Sequence, residues 1–421
     1  MGLPLKKSIL FILALWSILL CGGEVSFIIT ADLHGDLAAF ARLAPQIRRY
    51  PQAVKIDLGD FAQSSFPVVR QNGFPVIEAF NELSYDILVP GNHDLEFPIA
   101  VMQSWHEYFR GKIMGAQWFL GDFRMPGSVV VERSGLRIGI IALGETGLSK
   151  RAPFWAELHY ADEAAAVAAE MRNLRRENCH AIILIAHIST SNYPVFSRIL
   201  NDFPEIDAVI GAHSHREMPG GIMSRVLFCQ PGSHAESAVL LKLHFDDKKR
   251  LRFASSVLLR PGAEGDAAVL AIAQRAESSV TADGNTVLAR FRDVASFGRI
   301  GAEIIRRAAG ADAAIIAFDP AKFRENMSIR QFYELFPYGN RISVVTIRGD
   351  AAENLLRRRR RHTRYFGAGD FSGREIRLAV NDYILTSVDF LHGFPAEIFN
   401  EIERDVILEA LKNGEYSENI P

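Results

Sequence analysis

Apolar residues in this chain come in short unbroken runs separated by longer amphipathic stretches. The runs are "VSFIIT" (25–30), "AVKIDL" (53–58), "YDILVP" (85–90), "LRIGIIAL" (136–143), "AIILIA" (181–186), "DAVIGA" (207–212), "RVLFCQ" (225–230) and "AVLLKLHF" (238–245). Such runs, rich in Val and Ile, suit strands buried on both faces, because a strand wet on one face would alternate polar with apolar positions. Between them, stretches such as "ADEAAAVAAEMRNLRREN" (161–178) carry Ala, Leu and Met among charged residues at helical spacing. A layered α/β domain is predicted for this half of the chain.

Polar chemistry gathers where the runs end. The first is followed by Ala31, Asp32, Leu33 and His34, the second by Gly59 and Asp60, and the third by Gly91, Asn92, His93 and Asp94. "AIILIA" ends in His187, and "DAVIGA" in His213, Ser214 and His215. Loops at the carboxyl ends of the strands are where α/β sheets build ligand sites. Singly, each residue has a plain explanation: an Asp or Asn after a strand turns the chain or caps a helix, a buried His satisfies itself by hydrogen bonding, and a Gly permits the turn. Histidines and carboxylates at five strand ends together have the composition of a metal site. The stretch "GNHDLEF" (91–97) then reads as part of an active-site wall.

The blocks "ADLHGD", "DLGDFAQSS", "GNHDLEF", "IAHIS" and "GAHSH" resemble, in order and spacing, those of the calcineurin-like metallophosphoesterases, and within them the exported 5'-nucleotidase and UDP-sugar hydrolase branch. The resemblance implies a four-layer α/β/β/α sandwich followed by a smaller α+β domain of the 5'-nucleotidase C-terminal type. It also implies two divalent metal ions, of a kind (Zn, Mn, Fe, Co or Mg) that it leaves open. One ion would be held by Asp32, His34, Asp60 and His215, the other by Asp60, Asn92, His187 and His213, with Asp60 as the bridge. A carboxylate can bridge two cations, whereas a neutral imidazole normally binds one, and ions about 3.5–4 Å apart can clamp both oxygens of an in-line displacement. His93 is then free for acid or charge-stabilising work. The resemblance implies Glu96 as its acidic partner, although Asp94 is nearer in sequence. His106, His159, His180, His244, His362 and His392 stand outside the blocks, and His234 in "PGSHAES" is a pocket candidate only.

Composition adds less. With 421 residues, 48% hydrophobic and 23% charged, two globular domains are expected, and a net charge of -2 gives no pull toward nucleic acid. The N-terminus says more. Lys6 and Lys7 precede the apolar run 8–20, which is short for a bilayer span and reads, with Cys21, Gly22 and Gly23 behind it, as a signal peptide over residues 1–23. A retained anchor is the alternative, and Cys21 raises the prospect of a lipoprotein tether to the membrane. An exported, periplasmic or envelope-associated protein is expected. Cys179 and Cys229 allow a single disulfide at most.

The sandwich is expected over 24–246, a linking strand and helix over 247–280, and the second domain over 281–421. There, "FDPAKFRENM" stands where the family has an Asn-x-Gly-Gly-x-Arg loop, keeping Arg324 and adding Lys322 without the glycines, and "TSVDFLHGF" keeps Asp389 of a Gly-Gly-Asp-Gly block. The segment between "DFSG" (370–373) and "LAVND" (378–382) is shorter than the family's. Phe366, Phe371 and Phe390 are candidates for stacking on a base, with burial as the plainer role of an aromatic. The run Arg357–Arg361 reads as a solvated helix end or as a site for anionic headgroups or a polyanion. The expected activity is hydrolysis of a phosphomonoester, of a nucleotide or related small molecule. Cyclic phosphodiesters, nucleotide sugars or sulfur esters at the same metals are the alternatives, as is an exported binding protein with reduced catalysis.

Overall fold

In a computed structural model, residues 22–120, 123–144, 158–189, 193–360, 363–373, 375–391 and 393–414 are described. Cys21 and the apolar run 8–20 lie outside them, as do Arg361, His362 and His392. Among the described residues no helix is long and apolar enough to cross a membrane.

Two six-stranded sheets form the first domain. Their strands are β1 (Gly23–Thr30), β2 (Val54–Asp57), β3 (Ile87–Leu88), β4 (Lys112–Ile113), β5 (Ser128–Arg133), β6 (Leu136–Leu143), β7 (Ala181–Ala186), β8 (Ile206–Ile210), β9 (Met218–Met223), β10 (Val226–Gln230), β11 (Ala238–Phe245) and β12 (Leu251–Leu259). One sheet runs β12-β11-β1-β2-β3-β4 and the other β9-β10-β8-β7-β6-β5. The site-bearing strands β1, β2 and β3 are mutually parallel, and so are β6, β7, β8 and β10, so their carboxyl ends fall on common edges.

The apolar runs are explained by what lies on either side of them. Phe27 and Ile29 of β1 and Ile56 of β2 meet Ile138, Ile140, Ile183 and Ile185 of the other sheet in a buried layer. The alternate residue Ile28 faces the opposite way, onto Phe40, Leu43 and Ile47 of helix α1 (Leu37–Arg48). On the other sheet, Ile182 and Leu184 pack with Val167 and Met171 of α2 (Glu163–Leu174) and with Phe196 and Ile199 of α3 (Tyr193–Asp202). Side chains on successive strand residues point to opposite faces, so strands apolar throughout produce four layers, α/β/β/α.

Helix α4 (Ala267–Gly284) joins the domains by belonging to both cores. Its Val269 and Ile272 lie in the first domain's core, whereas Val280 lies in the second's, beside Phe66 and Val69 from the first. The stretch expected to lead out of the first domain packs as part of it, since β12 pairs antiparallel with β11 along the sheet edge. Beyond α4, helix α5 (Val294–Ala308) opens with a capping box between Asp293 and Ser296 and closes on Arg306 and Arg307, which favours the helix at both ends. It covers a sheet of β13 (Ala313–Phe318), β14 (Arg341–Arg348), β15 (Arg359–Arg360), β16 (Thr363–Gly369), β17 (Glu375–Asn381) and β18 (Ala396–Ile402), in the order β15-β16-β13-β17-β14-β18. Cys179 and Cys229 are both free, so the one disulfide the sequence allowed is not made.

Candidate metal centre

The loops at the strand ends are pinned to one another through their backbones. Asp32 N–H donates to Gly59 O at 2.8 Å, His34 N–H to Asp60 O at 2.8 Å, and His234 N–H to Asp32 O at 2.8 Å. To turn their side chains to one place, Asp32, His34, Asp60, His213 and His215 take left-handed backbone conformations, with φ from 50° to 70°. Such conformations are costly for residues with a Cβ and persist where surrounding structure over-determines them, often at functional sites. Gly91 answers a different demand: a Cβ there would lie 2.2 Å from Asp60 Oδ1 and 2.6 Å from His187 Cε1.

Two groups of donors result, Asp32 with His34 and His215, and Asp60 with His187 and His213. In the first, His34 Nε2 lies 3.1 Å from His215 Nε2, which lies 3.5 Å from Asp32 Oδ1. In the second, His187 Nε2 lies 3.2 Å from Asp60 Oδ2 and 3.3 Å from His213 Nδ1. Ligands about 2.0–2.2 Å from a tetrahedral ion sit roughly 3.3–3.6 Å from each other, so these donors fit divalent cations. Buried Asp32 Oδ1, His34 Nδ1 and Asn92 Oδ1 have no hydrogen-bond partner, which a cation would supply to the oxygens. Asn92 follows Gly91, whose backbone packs against Asp60 and His187. His187 Nδ1–H donates to Leu58 O at 2.5 Å, which leaves Nε2 for a metal. Asp60 falls with the second group.

Electrostatics set the protonation of these ligands. Burial pushes His34 down to about 3 and His213 down to about 4, so both are neutral near pH 7 and ready to ligate. Burial opposes a charge on His187, yet the Asp60 carboxylate beside it holds it up at about 10. A cation at that position displaces the proton, so its binding releases protons.

The two acids of "GNHDLEF" separate into distinct jobs. Asp94 is fully buried, and its carboxylate accepts the backbone N–H of Asp60 at 2.7 Å, Gly91 at 2.9 Å, and Phe61 and Ala62 at 3.1 Å each. It ties two site loops together and does not reach His93's ring. Glu96 does: its Oε1 lies 2.5 Å from His93 Nδ1. Gln63 Nε2 donates to the other Glu96 oxygen. His93 N–H donates to Asp60 Oδ1 at 2.8 Å. Burial lowers the imidazole's basicity, but Asp60 and Glu96 outweigh it and raise His93 to about 9.

A cavity of about 1000 Å³ is lined by His34, His215 and His234 from the first domain and by Lys322, Arg324 and Tyr338 from the second. Of the expected second-domain contacts, Lys322 and Arg324 thus line the same cavity as His34 and His215, with the Arg324 guanidinium donating to Ala321 O and Phe323 O. Phe366 does not: it is 6% exposed, stacks on Phe318 at 4.5 Å and packs under Gly298 of α5. Phe371 packs beside Gly349 and Gly367 in the domain's other apolar cluster, and Asp389 is exposed in a short 3-10 turn outside the cavity wall. Both rings serve burial, since each sits against the sheet that the domain must cover. His234, a pocket candidate in the sequence, lines the cavity, whereas Gln63, Tyr338 and Gly339 had no such reading. Gln63 stands inside the quoted block "DLGDFAQSS", which is the one local signal for it.

Residues 25–217 match the calcineurin-like phosphoesterase family. This chain bears that match in its first domain, with both donor groups inside it. It is 26% identical over 313 residues to the 5'-nucleotidase of Mus musculus, a match covering 62% of this chain and 52% of that one. The chain spans about half the length of the curated relatives it matches. Its fold is similar to that of a 5'-nucleotidase precursor from Thermus thermophilus, with a TM-score of 0.66 at 16% identity over 93% of this chain and 96% of the other. The sulfate thiohydrolase SoxB of Thermus thermophilus shares the fold with a TM-score of 0.62 at 13% identity, over 90% and 80% of the two chains. The two-domain α/β architecture expected from sequence is the one these structures have.

Proposed function

We propose that this chain is an exported dimetal phosphoesterase that hydrolyses phosphomonoesters of nucleotides or related small molecules. The observation that carries this reading is the pair of donor groups, the first of which reaches through His34 and His215 into a cavity also lined by Lys322 and Arg324 of the second domain. One cation would be held by Asp32, His34, His215 and Asp60, and the other by Asp60, Asn92, His187 and His213. Two divalent cations held there would supply Lewis acidity toward the phosphoryl group and toward the attacking water.

The chain's own residues do the rest. Glu96 holds His93 through Nδ1, which leaves Nε2 to stabilise phosphoryl charge or to hand a proton to the leaving oxygen. Lys322 and Arg324 draw the anionic substrate onto the metals from the second domain. With Phe366 buried and Phe371 packed against the sheet, neither ring supplies a base clamp, and selection among esters is expected to be weak. Export rests on the apolar N-terminal segment, and a lipid on Cys21 would tether the protein to the membrane.

The test is hydrolysis by purified, metal-reconstituted protein across phosphomonoesters, cyclic diesters, nucleotide sugars and sulfur esters. Phosphomonoesters are expected to lead, with kcat/KM for a nucleoside monophosphate less than about 10²-fold above that for an alkyl phosphate, the scale of apolar discrimination. A ratio near 10⁴ would mean that hydrogen-bonded base recognition has been rebuilt. Turnover confined to another ester class would replace this reading, and tight ligand binding without turnover of any would favour a binding protein.

A further inference from the structure

The acid–base pair of the first domain is touched by the second. The ring of Tyr338 stacks on His93, with centroids 4.5 Å apart and planes 20° from parallel. The next residue, Gly339, donates its backbone N–H to Glu96 Oε2 at 2.5 Å, the same oxygen that takes Gln63. Glu96 therefore spends one oxygen on His93 and the other on a donor from each domain. The approach is close enough that a Cβ on Gly339 would stand 3.2 Å from both Glu96 Cβ and Oε2.

We infer that Tyr338 and Gly339 are positioning residues for His93 and Glu96, so that the catalytic pair is complete only when the second domain is docked on the first. This rests on the phosphoesterase reading of His93. The segment that carries them is itself anchored: Phe336 is buried, Asn340 O accepts the N–H of Glu403 at 2.8 Å, and Arg341 N–H donates to Asp382 Oδ2 at 3.1 Å. An imidazole held at Nδ1 alone can still tilt about that hydrogen bond. A flat ring stacked on its face removes the tilt and keeps Nε2 aimed, and misplacement of a reacting group by an ångström can cost about 10² in rate. Tyr338 is 37% exposed, so trimming it removes little core and is expected to leave the fold intact.

Three variants test this in the two-domain, metal-loaded protein: Tyr338→Ala, Tyr338→Phe and Gly339→Ala. Tyr338→Ala is expected to lower kcat by about 10–10²-fold with KM and bound metal little changed, because the stack acts on His93 and not on the ions. Tyr338→Phe keeps the ring and is expected to restore most of kcat, whereas Gly339→Ala presses on Glu96 and is expected to lower it. A wild-type kcat in Tyr338→Ala, a rise in KM alone, or equal losses in the Ala and Phe variants would overturn the inference. An independent readout is the NMR shift of the His93 ring protons, assigned by their loss in His93→Gln. The stacked ring is expected to shift them upfield, and Tyr338→Ala to release them. Unchanged His93 shifts refute the stack whatever the activity, whereas a wild type that cleaves no phosphoester while the shifts respond refutes the phosphoesterase reading alone.

Discussion

Replacing Asp94 by asparagine should unseat the loops beneath the metal centre while leaving His93 its partner. Asp94 Oδ2 accepts from Asp60 and Gly91, and Oδ1 from Phe61 and Ala62. An asparagine keeps one acceptor oxygen and turns an NH₂ group toward the other two N–H groups, which are buried and have nowhere else to donate. A hydrogen bond to a charged group contributes about 1.5–3 kcal/mol, so losing two amounts to about 3–6 kcal/mol. A domain's whole margin is about 5–15 kcal/mol. For a domain of this size about 1 kcal/mol moves Tm by roughly 2–4 °C, and a fall on the order of 10 °C is expected. Because each pair of donors belongs to a loop that carries Asp60 or Asn92, metal should be lost with stability. Glu96→Gln should differ in the metal, keeping it bound while lowering kcat by about 10²-fold or more, since it touches the acid–base group and not the ligands. Thermal melting of metal-free protein and elemental analysis of reconstituted protein separate the two. Asp94→Asn melting with the wild type at full metal content would refute the division of labour drawn from these hydrogen bonds.

Asp60→Asn is expected to lower the occupancy of both metals and abolish hydrolysis, whereas His34→Ala should chiefly affect one, and two full equivalents with normal turnover in Asp60→Asn would remove its bridging role. Arg324→Ala and Lys322→Ala should raise KM for anionic esters by about 10-fold or more, the loss of a charge-assisted contact, with smaller changes in kcat. Wild-type KM in both variants would take the second domain out of phosphate recognition. Burial pushes Glu403 up to about 8 from its ordinary 4.5, with one oxygen paired to Asn381 and the other unpartnered. Folded protein then binds a proton that unfolded chain releases, so this contribution is full below about pH 4.5 and is lost as pH rises through about 8, at up to about 1.4 kcal/mol per pH unit. Glu403→Gln stays neutral and should flatten the fall in Tm between pH 5 and 8; parallel slopes would count against a protonated Glu403.

What the sequence by itself determined is the part of the molecule governed by local period and residue chemistry. Runs of Ile and Val without polar alternation demand cover on both faces, and that demand alone yields buried sheets between helices. A ligand-type side chain at the end of a run lands at a sheet edge because strands are straight and their ends are near one another. The tertiary structure decided whatever depends on partners distant in the chain. Asp94 is one residue from His93, yet its carboxylate turns inward because the N–H groups of residues 60–62 and of Gly91 converge on it, and Glu96 takes the histidine instead. Helix α4 reads as a simple amphipathic connector, but which core each of its apolar residues enters depends on Phe66 and Val69, some 200 residues earlier, meeting Val280. Phe366 and Phe371 carry nothing in their neighbours to tell a base clamp from a core ring, and the sheet that needed covering claimed both. Tyr338 sits in an ordinary turn sequence, and only the packing of the second domain on the first sets its ring against His93.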